Sequence, residues 1–443
     1  MMKLFKVLVR GPALTRSGYG EHVRFVMRAL RDEDLDLYLI PTGWGMTGWV
    51  MDNDEEKKWL DGIIAKTQGA LQEKVSFDVS IQVSIPNEWE KLAPINIGVT
   101  AGIETTKVAP QWLEKAALMD KIVVPSEHSK YVYENTTIEA LMQSPDGKTQ
   151  TIDNYKCRTP IEVVGYPVKK YENCDLDLDL ATDFNFLNVA QWGPRKNLEN
   201  CIRWFLDEFQ QDNVGLILKT NIAKNSLLDR NMTEQKIRAL LSNKQYENRK
   251  CKIYLLHGDF SDQEMHNLYR HPKIKALLTT SHGEGFGLPM FEAAYEGLPI
   301  IAPEWSGYLD FLCMPTKDKK GKEKIKSMFT TLEYTLQNIQ KENVWPGVLT
   351  ADSKWAYAEE ASFKKKTRQV FKDYGRFKKQ AKQLQAWVRE NFSEEKQYSD
   401  MYKIIDEYVS LEWIKEYNEM IMDDSLNSAA MLAATTAAEA VNK

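Results

Sequence analysis

A chain of 443 residues exceeds one typical hydrophobic core, and with 43% hydrophobic residues it has enough apolar material to fill two. A formal net charge of −5 excludes a global pull toward nucleic acid or an anionic membrane, and no stretch approaches the roughly 20 apolar residues of a membrane-crossing helix. The cysteines, at positions 157, 174, 201, 251 and 313, show neither metal-type nor redox-type spacing, so the expectation is a reduced, cytoplasmic protein.

The start, Met1-Met-Lys-Leu-Phe-Lys-Val-Leu-Val9, is too short and too charged for a signal peptide, and Leu4 to Val9 reads as a buried parallel strand. Gly11 to Gly20 reads as a loop, Glu21 to Leu30 as a helix and Leu35 to Pro41 as a second strand. Val75 to Val83, Ile95 to Thr100 and Lys121 to Val124 read as further strands, with Ser126 capping a helix that carries Tyr131 and Tyr133. Alternating strands and helices imply a parallel sheet covered on both faces. The acidic stretch Asn173 to Leu180, beyond Ile161 to Pro167, reads as a linker. A second unit opens with Phe186 to Ala190. It continues through a helix from Asn197, a strand Val214 to Lys219, a helix from Thr233, a strand Lys252 to Leu256 and a helix from Asp262.

The most informative stretch is Ser281-His-Gly-Glu-Gly-Phe-Gly-Leu-Pro-Met-Phe-Glu292. The apolar run Ala276 to Leu278 leads into it as a strand, and Gly283, Gly285 and Gly287 let the backbone bend and approach a ligand. Pro289 suits the first turn of a helix, Gly297 its C-terminal cap, and Pro299 to Ala302 the next strand. Such a helix start aims free N–H groups at whatever lies over the loop, and phosphate is the natural guest. Glu284 and Glu292 border that pocket, and each carboxylate can accept a pair of hydroxyl hydrogen bonds. Phosphate in the middle and sugar hydroxyls at both ends describe a nucleotide-sugar.

Beyond the glycine stretch, Lys317 to Lys326, with six lysines, reads as an exposed loop. Helical patterning resumes over Ser362 to Asn391 and Glu394 to Met422, and Ser425 to Lys443 reads as a frayed tail.

The Glu284–Glu292 stretch resembles the retaining glycosyltransferases of family 4, whose hallmark is Glu, seven residues, Glu in the setting Glu-Gly-Phe-Gly-Leu-Pro. The match runs on through Glu292-Ala-Ala-Tyr-Glu-Gly-Leu-Pro299 to Ser306-Gly307. Gln191-Trp-Gly-Pro-Arg-Lys-Asn197 is similar to the family loop whose Arg and Lys clamp the donor diphosphate. Lys196 matches the family lysine, whereas the family arginine falls where this chain has Gln191, so Arg195 or Lys219 would compensate. Arg16-Ser-Gly18-Tyr-Gly20-Glu-His22 resembles the glycine loop of the first domain, and it lacks the third glycine of a dinucleotide fingerprint. Glu104 and Pro110-Gln-Trp112 resemble a block facing the acceptor. Many family members carry a histidine there, yet none occurs here between positions 22 and 128.

Each motif also has a plainer reading. Charged residues in the 191–197 loop could be solvated, Trp112 belongs more naturally to a core, and Asp175-Leu-Asp177-Leu-Asp179 reads as linker rather than as a metal site. The six scattered histidines show no metal spacing, although His282 lies inside the motif loop and could touch the donor. Basic runs at 317–326, 364–368 and 376–382 are usually solvated faces, or else a patch for a polyanionic acceptor such as DNA with hydroxymethylated bases.

The resemblance implies an α/β protein with two Rossmann-like, doubly wound domains facing a cleft, the GT-B architecture, and a C-terminal helix returning to the first domain. The expected divisions are 1–167 for the acceptor-side domain, 168–183 for the linker, 184–392 for the nucleotide-sugar domain, 393–424 for the returning helices and 425–443 for the tail. The expected chemistry is retaining transfer of a hexose or pentose to an acceptor hydroxyl, with no cofactor and no metal. Catalytic roles fall to Glu284, Lys196, Arg195 and Glu104. Donor contacts fall to Gly18, Gly20, Lys219, His282, Gly285, Phe286, Gly287, Leu288 and Glu292. The acceptor is open: a glycan, a lipid-linked or small molecule, or a modified nucleic acid. Rival readings are a phosphorylase, a nucleotide-sugar epimerase and a non-catalytic sugar-binding protein. The segment between Tyr38 and Gln72, with Trp44, Trp49 and Trp59, has no family counterpart.

Overall fold

A computed structural model describes residues 5–50, 54–143, 149–318 and 320–409. The first half runs β1 (Phe5–Gly11), α1 (Gly18–Ala29), β2 (Leu35–Pro41), α2 (Glu55–Gln72), β3 (Val79–Val83), β4 (Ile95–Val99), α3 (Pro110–Ala116), β5 (Lys121–Val124), α4 (Glu127–Asn135), β6 (Ile138–Gln143), β7 (Thr149–Tyr155) and β8 (Ile161–Val163). Six of these strands form one parallel sheet in the order β2-β1-β3-β4-β5-β8, while β6 and β7 pair as an antiparallel hairpin. The central strands β3 and β4 are buried along their whole length, as a sheet with both faces covered requires.

The second half runs β9 (Asn185–Gln191), α5 (Leu198–Phe209), β10 (Gly215–Asn221), α6 (Leu227–Leu241), β11 (Lys252–Leu256), α7 (Asp262–Arg270), β12 (Ile274–Leu278), α8 (Leu288–Tyr295) and β13 (Ile300–Pro303). It continues through α9 (Leu309–Leu312), β14 (Cys313–Lys317), β15 (Glu323–Ser327), β16 (Thr330–Leu332), β17 (Tyr334–Asn338), β18 (Lys354–Ala358), α10 (Glu360–Lys372), α11 (Tyr374–Asn391) and α12 (Glu394–Val409). Its parallel sheet has the order β11-β10-β9-β12-β13-β16, so the chain reverses direction across the sheet between β9 and β12. Ligands in open α/β sheets sit outside the C-terminal ends of the strands at such a reversal.

The two Rossmann-like domains face each other across a cleft lined by those strand ends. Helix α12 leaves the second domain and buries Met401, Ile404 and Ile405 in the core of the first, where Phe25 of α1 packs on Tyr398 at 5.9 Å. The remainder of the expected last helix, and the tail, lie outside the described residues.

Three sequence expectations change. Residues 317–326 are not a plain loop, because β14 pairs with β15 in an antiparallel hairpin. Both faces of β15 are largely exposed, so the strand lacks the apolar alternation that would mark it. Helix α6 begins at Leu227 rather than at Thr233, since Ser226 accepts a hydrogen bond from Asp229 N and caps it. The helical stretch from Ser362 is two helices, broken at Asp373.

Candidate functional site

The glycine loop follows β12 and ends at Gly287, which has φ of +95° and starts α8. Two of its glycines are required by close approach. A Cβ on Gly283 would lie 2.1 Å from Glu104 O, and one on Gly285 would lie 1.8 Å from Ala101 O. Both carbonyls belong to the loop after β4, so the second domain's loop presses backbone to backbone on the first domain. Ser126 Oγ, the cap of α4, donates to Gly285 O at 2.7 Å and strengthens that contact.

Glu284 is held in this loop by Ser306 and Ser281. Glu284 N donates to Ser306 Oγ at 3.0 Å, and Ser281 Oγ donates to Glu284 Oε1 at 2.7 Å. Ser306 adopts φ of +80°, a costly left-handed conformation for a non-glycine residue, of the kind that concentrates at functional sites.

The loop after β9 makes a tight turn over Pro194–Lys196 and places two cations against that carboxylate. Lys196 Nζ lies 2.5 Å from Glu284 Oε1, and Arg195 Nη1 lies 2.8 Å from Glu284 Oε2. Arg195 also donates to Gly283 O at 2.6 Å and reaches across the cleft to Glu104 Oε1 at 3.1 Å. Burial alone would raise the Glu284 carboxyl, but Arg195 and Lys196 outweigh it and hold it at about 2. Burial raises the Glu104 carboxyl despite Arg195. Burial and then the charge of Arg195 lower Lys196, against the pull of Glu284. The four expected catalytic residues therefore meet in one cluster of two cations and two carboxylates, at the strand-order reversal of the second sheet.

The expected donor residues are more scattered. Lys219 of β10 has other partners: its Nζ donates to Gly258 O at 2.6 Å and sits 4.6 Å from the Phe260 ring. Of the two expected candidates, Arg195 is the one that stands with Lys196 against Glu284. Arg16 of the first domain donates to Phe260 O at 3.2 Å, a cross-cleft contact the sequence did not suggest.

Glu292, half-buried on α8, accepts a hydrogen bond from Tyr269 OH at 2.8 Å, and burial pushes its carboxyl up to about 7. His282 is 2% exposed. Its Nδ1 lies 2.6 Å from Ala356 O, its ring lies between Trp355 and Tyr357, and burial holds it at about 4. The Phe286 side chain is 4% exposed and packs on Tyr166, Phe291 and Phe311, which leaves only its backbone for a ligand. Leu288 opens α8. Gly18 is exposed at the start of α1, and a Cβ on Gly20 would lie 2.2 Å from Thr15 O. Trp112 is core, and its indole N–H donates to Asn87 Oδ1 at 2.7 Å.

Among the described residues no group of three or more His, Cys, Asp or Glu side chains is arranged to hold a metal ion, and no helix is long and apolar enough to cross a membrane.

Residues 238–400 match the model of a family described as Family 4 Glycosyltransferase in conflict systems. That span contains Glu284 and Glu292, while Glu104, Arg195 and Lys196 precede it. Among solved structures, a glycosyltransferase from Rickettsia africae ESF-5 is similar at 15% identity over 92% of this chain and 100% of that one, with a TM-score of 0.58. Sucrose-phosphate synthase from Thermosynechococcus elongatus is similar at 12% identity over 91% and 99%, with a TM-score of 0.57. The matched span, residues 238–400, is of family 4 glycosyltransferase type. The fold of the chain is GT-B, and at these identities the likeness to solved structures is one of fold. Anabaena Alr3699/HepE, solved in complex with UDP-glucose, is similar at 12% identity over 91% and 99%, with a TM-score of 0.53. No curated protein matches this chain in sequence.

Proposed function

We propose that this chain is a glycosyltransferase that moves a hexose or pentose from a nucleoside-diphosphate sugar to an acceptor hydroxyl with retention of anomeric configuration. The observation that carries the reading is the placement of Arg195 and Lys196 beside Glu284 at the strand-order reversal. As the sugar leaves, negative charge builds on the diphosphate, and fixed cations in a dry site stabilise that charge more than the ground state. Glu284 and Glu104 neutralise the two cations. A bound diphosphate would take over part of that pairing and release Glu284, which stays ionised, to accept hydrogen bonds from sugar hydroxyls.

Backbone N–H groups from Gly285 to Leu288 would face phosphate and sugar, and Glu292 would accept from the ribose hydroxyls. Gly18 and Gly20 lie where the first domain meets the donor, and Glu104 reaches in from the acceptor side. Retention requires attack on the face the diphosphate leaves, with the leaving phosphate taking the acceptor's proton; that step rests on the family resemblance. Tight closure of the two glycine-loop faces excludes water and limits hydrolysis. UDP-glucose is the first donor to test, given its presence in the Anabaena complex.

The test is NMR of the sugar released from a panel of nucleoside-diphosphate sugars, read before anomers equilibrate. Initial release of the donor's own anomer supports retention. The opposite anomer contradicts it, and release driven by inorganic phosphate without a nucleotide points to a phosphorylase.

A further inference from the structure

Charge is unevenly spread along this chain. Residues 360–382 hold nine Lys and Arg against two Asp and Glu, in a protein with a net charge of −5. Residues 317–326 hold six Lys against one Asp and one Glu. The second of the two helices touches the hairpin: Gln380 of α11 donates to the carbonyl of Ser327, the last residue of β15, at 3.2 Å.

Along α10, at its junction with α11 and beside the end of α5, lies a groove of about 410 Å³ lined by Lys365, Arg368, Lys372 and Arg376 together with Glu208, Gln369 and Asp373. Arg368 and Arg376 are paired with acidic neighbours. Lys365 and Lys372 are exposed and have no ion-pair partner among the described residues, and the same holds for Lys322, Lys324 and Lys326 on the hairpin. Nearby, Lys275 and Lys378 crowd one ring, with their Nζ atoms 5.6 and 5.9 Å from the centre of Tyr374. Burial, and then the charge of Lys378, lower the Lys275 ammonium. The arginines of this surface are compensated by acidic neighbours, while Lys365, Lys372 and the hairpin lysines leave it an excess of positive charge.

It is also remote from the cleft. Phe184, just before β9, packs edge-on against Phe371 and Tyr374 at 5.0 and 5.7 Å, which puts the α10–α11 junction at the opposite end of that strand from Lys196. A seven-residue strand spans about 23 Å. A small acceptor bound at the groove could not reach Glu284.

We propose that this basic groove and hairpin dock a nucleic-acid strand and tether the enzyme to it, with sugar transfer taking place in the separate cleft. Lys365 and Lys372 recur on one side of α10 about 10 Å apart along its axis. With Arg368 between them in sequence, the two lysines offer a row of positive charge that matches the row of phosphates along a nucleic-acid strand. A strand can lie along the groove and meet the hairpin, with phosphates neutralising both sets of lysines.

The test is fluorescence anisotropy of the full chain with short labelled single-stranded and duplex nucleic acid at low salt, beside flotation with phosphatidylcholine–phosphatidylserine vesicles. Binding should weaken steeply with salt. Lys365→Glu with Lys372→Glu should weaken single-strand binding at least about tenfold and reduce the slope of log K against log salt by about 1.4, two phosphate contacts' worth. Lys322→Glu with Lys324→Glu and Lys326→Glu should also weaken it, and neither variant should change donor binding or transfer to a small acceptor. If the helix variant fails a thermal-melt check, Lys365→Ala with Lys372→Ala replaces it. Absence of nucleic-acid binding at low salt, binding unchanged in both variants, or binding to vesicles alone would each overturn the proposal.

Discussion

The two sheets of this molecule share six parallel strands, yet their cleft-facing loops differ in kind. In the second domain, the loops after β9 and β12 flank the strand-order reversal and carry Arg195, Lys196 and Glu284. In the first domain, the corresponding loops carry mainly backbone and neutral groups. Tyr19 OH lies 2.8 Å from Thr100 Oγ1 and accepts from Gly102 N, and Glu104 is the carboxylate that crosses to the other side. The contrast shows how one architecture used twice divides the labour. One face concentrates charge, which the proposed function assigns to an anionic leaving group, and the other supplies a close-fitting wall with one acidic reach.

The largest effect should come from the charged face. Lys196→Ala should lower kcat by about 100- to 1000-fold, the cost of losing one preorganised group that stabilises developing charge. Steady-state kinetics on the best donor checks this, and a change confined to KM would break the division drawn above. Next is the wall: Gly285→Ala puts a methyl where the Ala101 carbonyl stands, 1.8 Å away, so the two faces must part. Transfer should fall about 100-fold, as for a misplacement of roughly an ångström. Because the clash lies between domains, far-UV circular dichroism should remain native.

A smaller effect is expected at Glu104. Glu104→Ala should leave the donor-induced rise in melting temperature intact while lowering kcat/KM for the acceptor about tenfold, near the worth of one charge-assisted hydrogen bond. Loss of donor binding instead would move Glu104 to the donor side. The smallest effect is on pH dependence. Glu292 is held at about 7 against an ordinary 4.5, so the native state binds that proton more tightly than the unfolded chain does. Its stabilising contribution is present below about pH 4.5 and is lost as pH rises to about 7, so Glu292→Gln should flatten that fall in melting temperature. Glu284 has the opposite sign: held at about 2, it favours the native state above about 4.5 and ceases to do so as pH drops toward 2.

What was legible in the sequence was local. Apolar strands closed by glycine and proline gave β12, the motif loop, α8 and β13, because turn chemistry and helix starts depend on neighbouring residues. Ser126 was likewise readable as a cap from its place after an apolar strand. The hairpin β14–β15 was hidden because its lysines face solvent on both sides. The partnership of Arg195 with Lys196 rather than Lys219 depends on how the β9 and β10 loops leave the sheet, which no spacing encodes. His282 sat in the motif, yet its ring is taken up by β18, an element absent from the sequence reading. Ser281, Tyr269 and Arg16 became visible as site residues only through contacts made by folding.

The most direct test of the central claim is calorimetric titration of the full chain with nucleoside-diphosphate sugars, comparing the wild type with Lys196→Ala. Saturable binding of at least one donor is expected, weakened at least about tenfold in the variant by the loss of a charge-assisted contact to the diphosphate. Binding of no donor, or binding equally tight in the variant, would contradict it.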